Sequence, residues 1–256
     1  MLSFLRNPLA WHKRYVQKIY DTPSGPAAVI GRSGHKALEH FYSGADKETA
    51  VRLGFEYLRS VPDFEINFGV ASSQRAKHAK RLAMERDYLQ AIGFYLARAP
   101  RHRVLGVEVS GVVSVEGHAL PLKAISDLVI ESREYPGYVD IVDHKFVDSF
   151  SKSGAAKPLF VMQAIFNYHT VRELFGRPVG RFIVYECKKR KNADGSAQMR
   201  RYVLDFATIA EDFDVFRRLI NDATAELKQK KVFLPNPSDM FDGDDSFQVY
   251  RLALGD

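Results

Sequence analysis

The sequence predicts a single α/β domain whose N-terminal part is helical. Three observations carry this. Apolar residues recur at three-and-four spacing through about residue 100, Val- and Ile-rich runs broken by turn signals follow from Arg103, and a helical stretch then separates those runs from two further strands.

Residues 2–20 read as a helix interrupted by Pro8, whose ring is tolerated near a helix start but not deep inside one. After the break at Thr22-Pro23-Ser24-Gly25-Pro26, a second helix begins near Ser33 and carries His35, Leu38, Glu39 and Tyr42 on one face. Gly44 ends it. Further helices cover about 46–60 and 72–98, the latter with Leu82, Leu89, Ile92 and Leu96 as its core stripe. Residues 104–115, 120–131 and 138–147 form a three-stranded antiparallel meander, turned at Glu116-Gly117 and at Glu134-Tyr135-Pro136-Gly137. A helix from Pro158 to about Phe175 stops at Gly176, and residues 181–188 and 199–206 are strands joined by Asn192-Ala193-Asp194-Gly195. Thr208 caps a last helix reaching about Lys231. The domain thus spans 1–256, with a helical subregion at 1–102, an α/β core at 103–232 and a tail at 233–256.

The 256 residues suffice to bury a core without disulfide or metal staples, and 46% hydrophobic with 27% charged residues excludes disordered and collagen-like classes. No apolar run approaches the roughly 18 residues of a membrane span. The opening Met1-Leu2-Ser3-Phe4-Leu5-Arg6-Asn7-Pro8 lacks the apolar stretch of a secretory signal, so the expectation is a cytoplasmic protein that stays where it is made, with no membrane partner. Cys187 is the only cysteine, so any metal must come to His and carboxylate ligands. A net charge of +6 points modestly to a polyanionic partner. Arg75, Lys77, Lys80 and Arg81 crowd one segment, Lys188-Lys189-Arg190-Lys191 is an unbroken run, and Lys228, Lys230 and Lys231 follow a helical stretch. Each run alone reads as a solvated face.

The meander holds the residues that carry chemistry. Asp127 and Asp143 are equidistant from Tyr135, so the hairpin puts them opposite each other with Cβ atoms about 4.5–5.5 Å apart. Like charges at that distance destabilise a sheet, and a divalent cation with oxygen ligands removes the repulsion. Alternation puts Lys145 on the same face as Asp143, with Ile125 across from it, and turns Val142, His144 and Phe146 to the other face. A bare Asp-x-Lys tripeptide reads better as a solvated ion pair. The paired register and the flanking hydrophobic residues Leu128-Val129-Ile130 and 138–142 favour the metal. Gly31-Arg32-Ser33-Gly34 is too short for a phosphate-binding loop, and no serine sits in a Gly-x-Ser-x-Gly turn.

Asp127, the hairpin and Ile141-Val142-Asp143-His144-Lys145 resemble the signature of the PD-(D/E)XK nuclease superfamily, and the rest resembles its RecB-like branch, which includes CRISPR-associated RecB-like and many phage exonucleases. Leu2-Ser3-Phe4-Leu5-Arg6-Asn7-Pro8 is similar to that branch's first helix. Gly31-Arg32-Ser33-Gly34-His35-Lys36-Ala37-Leu38-Glu39 is similar to its histidine helix, and Gln163 to the glutamine of its following helix. The matches run in the branch's order from residue 2 to about 168; none is specific alone, and together they are.

The resemblance implies a restriction-endonuclease-like core: a mixed central sheet flanked by helices, with the N-terminal helical part over the site. It implies that Asp127 and Asp143 bind catalytic Mg²⁺ or Mn²⁺, that His144 contributes its carbonyl oxygen, that Lys145 is the catalytic lysine, and that Gln163 positions a water or phosphate. His35 would be a further metal ligand; without the resemblance its residue type and place read better as a satisfied core histidine on an amphipathic face. A position near the helix start would hold it neutral, the form that binds metal. Glu108 resembles an acidic residue on the first strand of some members, with a second-metal or water-mediated role, and reads almost as well as a solvated strand glutamate. The chain departs from the family where Asn7 replaces a cluster cysteine and Pro235-Asn236-Pro237 lacks the others, so no iron–sulfur cluster is expected. Ala124 replaces a common glycine, and Asn167 stands where tyrosine is usual, with Tyr168 turned by about 100°. The expected activity is metal-dependent hydrolysis of DNA, as an exonuclease in recombination, repair or phage DNA metabolism, with other repair proteins as further partners. Arg75, Lys77, Lys80, Arg81 and 188–191 would track the nucleic-acid backbone. A non-catalytic nucleic-acid-binding module and a structural subunit of a repair or phage assembly are the alternatives.

Overall fold

The computed structural model describes residues 1–19, 23–152, 158–229 and 232–234. Pro8 does divide the first helical stretch: α1 (Leu2–Arg6) ends at Asn7, whose side chain then caps α2 (Pro8–Trp11) by accepting from the Ala10 N–H at 3.0 Å. A π-helical turn, His12–Val16, follows. Helix α3 (Pro26–Tyr42) starts seven residues before the expected Ser33, because Pro26 sits at its first position, where a missing N–H costs nothing. Gly31 and Gly34 lie inside it. Gly34 is there for proximity, since a Cβ would stand 2.2 Å from the Phe146 ring.

Asp46 caps α4 (Lys47–Ser60) and Ser73 caps α5 (Gln74–Ala97). The buried face of α5 differs from the expected stripe: Met84, Tyr88, Ala91, Ile92, Tyr95 and Leu96 are inside, whereas Leu82 and Leu89 are 51% and 44% exposed. Two tyrosines seven residues apart decide the face. Each buries its ring and finds a polar partner for its hydroxyl, Tyr88 donating to the Val51 carbonyl at 2.7 Å and Tyr95 lying 3.0 Å from the Tyr42 hydroxyl.

Strands β1 (Val104–Val113), β2 (Leu122–Glu131), β3 (Val139–Val147), β4 (Val179–Lys188) and β5 (Met199–Asp205) form one sheet in the order β1-β2-β3-β4-β5. All neighbours are antiparallel except β3 and β4, so the sheet is mixed, and α6 (Pro158–Phe175) is the crossover that the parallel pair requires. Leu128, Ile130, Val142, Ile183 and Tyr185 pack with α3 and α5 in one core cluster. Gly176, at φ +58°, ends α6. The last helix, α7 (Ala210–Gln229), is not capped by Thr208: a 3₁₀ turn, Phe206–Thr208, intervenes, and the Thr208 hydroxyl donates to the Asp205 carbonyl at 2.8 Å. Lys230, Lys231 and the tail from 235 lie outside the described residues.

The chain divides into two compact units. One holds residues 24–115 and 121–213, hence all five strands and α3 to α6. The other holds α1, α2, residues 116–120 and α7 from Asp214; in it Phe4 meets Trp11 edge-on at 5.4 Å, and Asn221 binds the 117–119 turn through Gly117 and Ala119. No helix of the described residues is long and apolar enough to cross a membrane.

Candidate metal centre

The β2–β3 register centres on Tyr135: Glu131 faces Val139 and Leu128 faces Val142. Continued one step, it puts Asp127 opposite Asp143. The regular ladder stops there, and the His144 N–H donates to the Asp127 carboxylate at 2.7 Å. On the other side of β2, Val107 faces Leu128 and Val109 faces Ser126, so Glu108 lies opposite Asp127. Here the alternation breaks. Leu128 belongs to the core under α3 and α5, yet Ser126 donates to Asn167 of α6 at 2.7 Å instead of sharing that face. Glu108 adopts φ +49°, a left-handed conformation that costs a non-glycine residue of order 1–3 kcal/mol. Two acids therefore sit at a shared fault in the pleat, and the fault aims them at α3.

From α3, His35 brings its Nδ1 to 3.4 Å from Asp127. Ligand atoms of His35, Glu108 and Asp127 all lie within 4.8 Å of one another. Asp143 is 3% exposed and accepts from Lys145 Nζ at 2.9 Å and from Gln163 Nε2 at 2.6 Å, both at Oδ1. Its Oδ2 lies 2.7 Å from the same Nζ as an ion pair but has no hydrogen bond. The His144 imidazole turns to the opposite face, as alternation requires, where its Nδ1 meets the Tyr95 hydroxyl at 3.1 Å and its ring stacks on Tyr42 at 5.7 Å.

Burial and neighbours separate the charges. Burial raises Asp143, with Lys145 opposing and Asp127 reinforcing the rise. Burial works on Asp127 in the same sense, but His35 outweighs it and holds the carboxyl down to about 2. Burial also raises Glu108, and Asp127 adds to it. The lowering of His35 expected from a helix start is not found. The residue lies well inside α3 rather than at its start, and although burial lowers it, Asp127 raises it above the ordinary value. Lys145 is likewise raised, Asp143 and Asp127 overcoming the cost of burial. Burial drives the His144 ring down to about 3.

These residues fit a hard divalent cation. Carboxylates crowd together, a buried carboxylate oxygen has unused acceptor capacity, and the one nitrogen donor is an imidazole, the combination that Mg²⁺ and Mn²⁺ accept. Asn167 was not singled out as a site residue, although it is one turn from Gln163 on α6. It is 2% exposed, donates to the Gln163 carbonyl at 2.9 Å and accepts from Ser126, tying the glutamine's helix to the strand of Asp127. Tyr168 instead packs against Phe206 and Phe213 at 4.8 and 4.9 Å.

The basic residues divide by their partners. Arg81 is held by Asp63 at 2.7 Å and by backbone carbonyls, Lys189 by Asp148 at 3.0 Å, Arg190 by Asp87 at 3.4 Å, Lys188 by Asn192 and Lys80 by the Phe68 carbonyl. Arg75 and Lys191 are exposed, and Lys77 is half-buried.

No curated protein matches the chain. Among solved structures, the crystal structure of SSO0001 is similar at 15% identity over 82% of each chain, with a TM-score of 0.27, too low to support an argument. The family comparison is different in kind. The family model of the PD-(D/E)XK nuclease superfamily matches residues 2–240, a span that takes in both aspartates, the lysine and the helices on either side of them, and the chain belongs to that superfamily.

Proposed function

We propose that this nuclease is a Mg²⁺- or Mn²⁺-dependent DNA exonuclease of the RecB-like branch, acting in recombination, repair or phage DNA metabolism. The observation that carries the reading is the convergence of Asp127, Asp143 and Lys145 at the open end of the β2–β3 ladder, with His35 and Glu108 on one side and Gln163 on the other. His35, Glu108, Asp127, Asp143 and the His144 carbonyl would hold the ion or ions, which when bound supply positive charge and an acidified water. Lys145 keeps its proton and is held by Asp143, so it presents a fixed cation to the anionic phosphate and a donor to the attacking water. Gln163, projecting from α6, fixes the Asp143 carboxylate. Asn167 and Ser126 keep that helix in register with the strand.

Digestion of end-labelled linear and closed circular DNA with Mg²⁺, Mn²⁺ or chelator tests the reading. Linear DNA should be degraded from its ends, circles spared, and both left intact in chelator. Lys145→Ala should lose about 10²–10³ in rate, the loss typical of removing one preorganised electrostatic donor, while DNA affinity stays near the parental value. Parental rates in that variant, or cleavage in chelator, would overturn the assignment.

A further inference from the structure

Two of the basic stretches, 75–81 and 188–191, meet in space. Lys80 from α5 and Lys189 and Arg190 beyond the end of β4 line one cavity of about 270 Å³, together with the first turn of α3 at Pro26 and Ala27. At roughly 30 Å³ per liquid water, that space is far larger than a packing defect.

The charges around it do not balance. The Lys189 side chain is 5% exposed, but Asp148, the carboxylate paired with it, is 71% exposed. A carboxylate so fully solvated compensates a buried ammonium poorly. Lys80 donates to the Phe68 carbonyl, a dipole and not a counter-charge. The second acid on the wall, Asp87, already faces Arg190 at 3.4 Å and Arg86 at 3.8 Å. The start of α3 adds to the same sign: its N-cap is Gly25, which offers no side-chain acceptor to the positive end of a 17-residue helix.

We propose that this cavity is a phosphate-binding subsite for the nucleic-acid strand. The identity of the ligand rests on the nuclease reading above; the demand for an anion rests on the cavity itself. His35 lies nine residues from Pro26 on the same helix, about 13.5 Å away along its axis at 1.5 Å per residue, a span of a few nucleotides on a bound strand. One helix therefore joins the subsite to the metal centre and sets how far along the strand the chain grips. An internal phosphodiester, a terminal phosphate and free inorganic phosphate share this chemistry.

Fluorescence anisotropy in chelator, where nothing is cut, distinguishes them, using a labelled oligonucleotide with and without a 5′-phosphate over a salt series. Lys189→Met and Lys80→Gln should each weaken binding by about 3- to 10-fold and lower the slope of log K against log salt by about 1. Lys47→Ala, on α4 away from the cavity, should change neither. Should Lys189→Met lose its cooperative melt, Lys80→Gln, at a partly exposed position, carries the test. Equal weakening on both oligonucleotides supports an internal phosphodiester, and weakening confined to the phosphorylated one supports a strand end. If inorganic phosphate raises the melting temperature of the parent but not of Lys80→Gln, and oligonucleotide binding is unchanged, the strand-gripping role is overturned. Parental affinity and slope in both variants overturn the subsite and leave the nuclease reading standing. A parent that neither binds DNA in chelator nor cuts it with Mn²⁺ removes both.

Discussion

Glu108 is a side chain held in place against the preference of its own backbone. Its φ of +49° and its carboxyl, raised by burial beside Asp127, both cost stability, and both would be relieved by glycine. Glu108→Gly should therefore stabilise the chelated protein by about 1 kcal/mol, or about 2–4 °C in melting temperature for a protein of this size, while weakening its response to Mn²⁺. Melts with and without Mn²⁺ check both halves, and a lower melting temperature in chelator would show that the fault carries no strain. Single residues were unevenly legible. Asp127, Asp143 and Lys145 could be placed because a hairpin's symmetry is arithmetic on residue numbers. The direction in which His35 is shifted could not, since it depends on the helix starting at Pro26, seven residues before Ser33, and on Asp127, a partner brought to it from the sheet. The bond between Ser126 and Asn167 was hidden for a related reason: alternation is assumed in reading a strand, and here it fails.

At the level of elements, α3 reaches the sheet only because Gly34 lets it. A Cβ at that position would stand 2.2–2.7 Å from three atoms of the Phe146 ring on β3. Gly34→Ala should cost about 1–3 kcal/mol as overpacking and, by pushing α3 outward, weaken metal binding through the adjacent His35. Trimming the ring in a Gly34→Ala/Phe146→Leu pair should recover part of both losses; strictly additive effects would mean that the two do not act through this contact. Strand positions were readable to within a few residues, since Val and Ile runs between turn signals leave little freedom. The buried face of α5 was not, because counting aliphatic residues overlooks a tyrosine that is buried and satisfied at once.

The whole molecule also carries a pH dependence outside the metal centre. Burial lowers His102 to about 4, and Arg133 and Arg201 push in the same direction against Asp140. The folded protein thus binds this proton less readily than the unfolded chain, whose histidine titrates near 6.5. Its stabilising contribution is complete above about pH 6.5 and is lost as pH falls toward 4. His102→Gln should flatten that part of the stability profile, measured by urea unfolding between pH 4 and 7.5, and parallel profiles for parent and variant would rule the histidine out. At this scale the α/β class was legible, because alternating element types dictate it. The division into two units was not, since one of them gathers separated stretches of chain that no local pattern connects.

The sole cysteine gives the molecule an internal reporter. Cys187 is fully buried on β4, its thiol donates to the Ala91 carbonyl of α5 at 3.5 Å, and burial raises its pKa to about 12. A thiol so protected is inert to alkylating reagents while α5 lies on the sheet and becomes reactive when the helix lifts. The rate at which a maleimide labels the native protein therefore times the opening of the helix that carries Tyr95 and Lys80, on the natural sequence and without any introduced probe.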